Sequence, residues 1–156
     1  MTRRAQLAAV LAAVLMALSL TSGADTEQPL DLASFSQGAV GISTAAGRQH
    51  FSVWIADTPE RQTQGLMFVR DLPAERGMLF IESAPRPMAF WMKNTYVELD
   101  MLFIGADYRI LKIAARAPPL SLATINSDAP VIAVLELKGG EAARRGIRVH
   151  DRVSWP

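Results

Sequence analysis

A mainly β domain is what this sequence predicts: a single compact barrel or jelly-roll-like sandwich of about eight strands with one or two short helices. Three observations carry the expectation. From residue 77 onward, segments rich in β-branched, aromatic and Met residues recur, and Pro- or Gly-bearing turns part several of them. Phe51, Val53 and Ile55 alternate with Ser52 and Trp54, the period of a half-buried strand. Helix start and stop signals are confined to two short stretches, near residues 58–65 and 141–146.

The elements follow in chain order. Arg3 and Arg4 precede a 14-residue apolar run from Leu7 to Leu20, and Ser22-Gly23-Ala24 has the small-x-small form of a cleavage site. That is the pattern of a secretory signal peptide over 1–24, and its apolar run is short for a bilayer span of about 20 residues. An uncleaved anchor is the alternative. Residues 25–37 read as a flexible polar lead-in and residues 38–156 as the domain. Removing 1–24 takes away two of 16 basic residues and no acid, so 14 bases and 15 acids leave a mature charge of −1. Such a balance argues against nucleic acid as a partner and leaves the membrane only the signal peptide. The chain has no Cys, which excludes disulfides, thiol catalysis and Cys-ligated zinc. The reading is of a periplasmic or secreted domain held by its core alone.

Val40–Thr44 and Arg48–Ala56 flank Ala45-Ala46-Gly47 and predict a hairpin. Thr58-Pro59 supplies an N-cap and a first-turn proline, so a helix over Pro59–Gln64 is expected, stopped by Gly65. Strands are then expected at Gly77–Ile81, Met88–Lys93, Leu99–Ile104, Arg109–Ala114, Val131–Leu137 and Ile147–Trp155, with a helical turn at Glu141–Arg145 ended by Gly146. Residues 117–130, containing Pro118-Pro119, read as a long loop of the kind that is often functional or mobile.

Chemistry-bearing residues are few. His50 and His150 have no local nucleophile partner, and neither a Gly-x-Ser-x-Gly elbow nor a phosphate-binding Gly-x-x-x-x-Gly-Lys loop occurs. The five Met residues after the leader, Met67, Met78, Met88, Met92 and Met101, lie within 35 positions. Thioethers can take Cu(I), but filling an irregular core is their ordinary use. No metal or cofactor is therefore assigned. Asp100 and Glu136 are acids in apolar strands. Leu135-Glu136-Leu137 points Glu136 away from both leucines, toward solvent or a cleft. If Phe90 and Met92 face a core, Trp91 and Lys93 share the opposite face, an aromatic plane beside a point charge. The bland counterpart is a packed Trp with a snorkelling Lys.

Taken together, Arg61-x-x-x-Gly65-Leu66-Met67-x-x-Arg70, Gly77-Met78-Leu79-Phe80, Phe90-Trp91-Met92-Lys93-Asn94-Thr95, Leu99-Asp100 and Val134-Leu135-Glu136-Leu137 resemble the DUF192 family over roughly residues 48–154. The resemblance implies a small, often exported β-rich domain whose biochemical function is uncharacterised. It marks Arg61, Gly65, Met67, Arg70, Trp91, Lys93, Asn94, Asp100 and Glu136 as family-typical. One departure is His150-Asp151, where the family usually has Gly-Asp; if that Gly supplies a positive φ, His carries strain.

Three functions fit these residues. The first is a non-catalytic module binding a small polar or anionic ligand, or another exported protein, through Arg61, Met67, Arg70, Trp91, Lys93, Asn94, Asp100 and Glu136. The second is a buried polar network with a purely structural role. The third is a hydrolase with Asp100 or Glu136 as acid/base and Lys93 or Arg61 stabilising developing negative charge.

Overall fold

A computed structural model describes residues 29–156; the signal-peptide reading over 1–24 lies outside the described residues. The lead-in is ordered where it is described. Asp31 caps a 3-10 turn at Leu32–Ser34, and Phe35 is buried against the core. An apolar anchor at Phe35, with Arg61 donating to the Ser34 carbonyl, ties down a stretch whose composition reads as free.

The expected hairpin forms between β1 (Ser36–Thr44) and β2 (Gly47–Ala56), with Thr44 paired to Gly47. Helix α1 (Pro59–Gln64) has the expected bounds. Thr58 accepts from the Arg61 amide, and Gly65 closes the helix at φ 51°, ψ −133°, a region open to glycine and little else. Strand β3 (Arg76–Arg86) outruns the expected Gly77–Ile81 and carries through Pro85. It lies parallel to β2, so the chain needs the crossover that α1 belongs to.

Then come β4 (Ala89–Phe90), β5 (Leu99–Ile104), β6 (Ile110–Ala117), β7 (Ile125–Asn126), β8 (Val131–Lys138), α2 (Glu141–Arg144) and β9 (Arg152–Ser154). Seven strands make one sheet in the order β6-β5-β8-β3-β2-β1-β9. The sheet curls until its two edges meet. Arg109 bridges Arg152, and the Ile110 amide donates to the Asp151 carbonyl. The expected class, a mainly β barrel or sandwich, is what is found: a curled seven-stranded sheet with two short helices.

Both faces of the central strands are buried. Val40, Ile42, Phe51, Val53, Leu79, Leu102, Leu135 and Val153 fill the inner face. Met78, Phe80, Met101, Phe103 and Val134 line the outer face, beneath Leu66 and Leu72 after α1 and Met88 and Met92 before β5. Double coverage explains why all six residues of β5 are buried and why the period-2 signal fails there. Sheet approach is close at Gly77, where a Cβ would stand 2.3 Å from the Glu136 carbonyl oxygen.

Two expected strands are shorter than their composition suggests. Of Met88–Lys93 only Ala89–Phe90 is strand, paired with Ile125–Asn126 in a separate two-stranded ribbon. Beyond it Thr95 donates its amide to the Met92 carbonyl, and Asn94 turns the chain at φ 54°. Asn is among the residues that tolerate this conformation. Of Ile147–Trp155 only Arg152–Ser154 is strand, because His150 sits at φ 75°. Residues 117–130 are a tethered cover rather than a free loop. The Met92 and Ser127 amides donate to the Ser121 and Met88 carbonyls, and the Leu120 amide to that of Thr95.

Candidate functional site

Glu136 is where the outer face opens. It lies on β8 between Met78 of β3 and Met101 of β5, its directly paired neighbours. The residue is 4% exposed, yet it lines a cleft of about 420 Å³ between α1 and residues 86–95. Its carboxyl accepts no hydrogen bond from any described side chain or amide. Burial alone pushes the group up to about 8, so it is largely protonated at neutral pH. The face expected from Leu135-Glu136-Leu137 is right in being opposite the leucines, and of the two surroundings expected there, solvent or a cleft, it meets a cleft.

The cleft is lined about equally by polar and apolar surface. Phe80, Phe90 and Trp91 supply aromatic walls, and Leu66, Met67 and Met88 supply aliphatic and thioether ones. Phe80 and Phe90 meet edge to face at 5.0 Å, which braces that wall. Gln62 and Thr63 of α1 and Thr95 add polar edges. Arg86 also lines the cleft, but two of its guanidinium nitrogens bind Glu82 at 2.7 Å. Among the lining residues, Glu136 is therefore the one ionisable group left without a partner.

Trp91 is 48% exposed and borders a second cleft of about 470 Å³, shared with Met67, Lys93 and Asn94. The Lys93 ammonium stands 5.1 Å from the Trp91 ring centroid. The pairing of Trp91 with Lys93 expected from strand alternation thus exists, although residues 91–94 are a turn and not a strand.

The remaining predicted site residues are occupied elsewhere. Arg61 binds Asp57 and the Ser34 carbonyl and lies over the Phe35 ring. Arg70 stacks on Tyr96 at 4.4 Å. Neither lines the Glu136 cleft, so no set of cations converges there on an anion. Asp100 is fully buried, and its carboxylate accepts from the amides of Arg116 (2.8 Å), Gly140 (3.0 Å) and Ala142 (2.9 Å). It caps α2 and holds Arg116, which sits at φ 52°. Asp100 is opposite Leu137 and Met101 opposite Glu136, so the two acids leave the sheet on opposite faces. They cannot flank one bond, as a shared acid–base mechanism requires.

Sequence reasoning missed Gln62, Thr63, Arg86 and Thr95. A faint signal existed for the first two: Pro59–Gln64 carries no apolar residue after its proline, unusual for a helix that packs on a core. As to metals, no three His, Asp or Glu side chains converge among the described residues. The thioethers of Met67 and Met88 do share the cleft with Glu136.

The family model DUF192, described as an uncharacterized ACR, matches residues 41–155. Two solved structures are similar. One is a candidate transcription regulator of Sinorhizobium meliloti 1021, at 41% identity and TM-score 0.76, covering 78% of this chain and 95% of that one. The other is a protein of unknown function from Novosphingobium aromaticivorans DSM 12444, at 41% identity and TM-score 0.73, covering 75% and 84%. No curated protein matches the chain.

Proposed function

The chain belongs to the DUF192 family, whose function is unknown, and from that premise we propose that it is an exported, non-catalytic module that binds a small polar ligand in the Glu136 cleft. One observation carries the reading: a carboxyl 4% exposed, with no hydrogen-bond partner among the described residues, opening on a cleft that Phe80, Phe90 and Trp91 help to wall. A purely structural network would pair it, as Asp100 is paired. A cleft of this volume suits a small organic molecule.

Export rests on the N-terminal sequence pattern, and places the module in the periplasm or outside the cell. N-terminal sequencing of protein from the envelope fraction should begin at Asp25; a start at Met1 or Thr2 would count against cleavage. Regulation of transcription, the role named for the Sinorhizobium protein, calls for a face that binds a polyphosphate backbone, to which a mature charge near −1 offers little.

Binding is tested by a Trp-fluorescence screen of small polar compounds, neutral and charged. Hits should lose affinity at least about tenfold in Trp91→Ala, a loss of roughly 1.4 kcal/mol. A folded Trp91→Ala protein that keeps all affinity for every hit removes the cleft from the reading.

A further inference from the structure

The chemistry of the cleft selects among polar ligands. We propose that it takes a small organic cation, an ammonium or quaternary-ammonium head group, with Glu136 as its counter-ion and Phe80, Phe90 and Trp91 as its walls. This rests on the binding reading above and narrows its ligand.

Aromatic faces attract cations through their quadrupole, and the attraction grows when water is excluded. Three rings line this cleft; the Lys93 ammonium, which lines the second cleft, stands 5.1 Å from the Trp91 centroid, so the attraction for a ligand cation falls mainly to Phe80 and Phe90. Thioethers of Met67 and Met88 add polarizable surface. Glu136 supplies the charge. A buried carboxylate is stable only when paired, and no described residue pairs it. An ammonium ligand would complete the pair.

The charged groups nearby do not compete. On β3, Arg86 is neutralised by Glu82. On α1, Glu60 lines the second cleft and Arg61 is held by Asp57. In residues 87–95, Lys93 lies in the second cleft. An anionic ligand would face a carboxyl and an arginine already satisfied, which is why the cation is preferred.

The reading has a proton linkage. Glu136 holds its proton up to about pH 8 in the free protein. A cation binds the ionised form, so each bound cation displaces that proton. Affinity should then rise about tenfold from pH 6 to pH 7 and level off above about pH 8.

The test uses three probes of one shape: choline, its neutral isostere 3,3-dimethyl-1-butanol, and the anion 3,3-dimethylbutyrate. Calorimetric titration of the purified protein at pH 6, 7 and 8.5 reads affinity, and buffers of different ionisation enthalpy read proton release. Choline should bind at least about tenfold tighter than the neutral isostere at pH 7, with the pH dependence above. Glu136→Gln should remove both the preference and the pH dependence, its fold checked by thermal melting. Equal binding of choline and the alcohol, or tighter binding of the anion, overturns the cation assignment and leaves the binding module standing. A silent choline titration up to about 10 mM, well above weak millimolar affinity, overturns the cation assignment too. The binding reading itself falls only if the wider screen is also silent.

Discussion

Replacing Glu136 by Gln keeps the side chain's shape and removes its titration. Burial holds the carboxyl at about 8 in the folded protein, against 4.5 in an unstructured chain. Between those values the folded state keeps a proton that the unfolded state has released. Stability therefore falls as pH rises, by about 1.36 kcal/mol per pH unit. The contribution is complete below pH 4.5, is lost progressively up to pH 8, and is constant beyond. Over the whole window the loss is at most about 5 kcal/mol, since water entering the cleft lessens the desolvation. Between pH 5 and pH 7.5 it comes to roughly 3 kcal/mol, or about 10 °C in Tm for a domain of this size. Other titrating groups cancel when the two proteins are compared at each pH. The assay is thermal unfolding followed by circular dichroism for wild type and Glu136→Gln at both values. The variant should gain on wild type by most of that 10 °C at pH 7.5 relative to pH 5. A Tm difference that stays constant within about 2 °C between the two pH values would refute the picture of a buried, unpaired carboxyl.

Two further outcomes follow from the surrounding structure. Asp100→Ala strands three amides that now share one carboxylate, and should lower stability by about 3–5 kcal/mol in urea unfolding; a loss under about 1 kcal/mol would show that α2 does not depend on this cap. His150→Gly frees a residue held at φ 75°, and should raise stability by about 0.5–1 kcal/mol, read from the urea midpoint. A decrease would mean that the imidazole contributes more than its strain costs.

Local chemistry made much of the fold legible. The hairpin turn at Ala45-Ala46, the capped helix Pro59–Gln64 and the strand Leu99–Ile104 were readable because turns, caps and apolar runs act over a few residues. The Met88–Lys93 segment misled for the converse reason. Its composition suits a strand, but β4 finds a partner only at Ile125–Asn126, some 35 residues on, and Asn94 breaks the extension. The departure at His150 was visible in sequence, and its positive φ is the conformation that a Gly there would favour.

The site divides along the same line. That Asp100 and Glu136 are unusual acids, and that Trp91 and Lys93 form a pair, could be told from spacing and residue type. Their separate fates could not. Asp100 meets three amides from residues 116, 140 and 142, while Glu136 meets none. A carboxyl's charge state depends on what covers it, and for Glu136 the cover comes from α1 and residues 86–95, more than 40 positions away. By itself the sequence determined most of the elements and named the unusual side chains. Only the tertiary structure decided which acid is paired, because that depends on how distant segments stack on the two faces of one sheet.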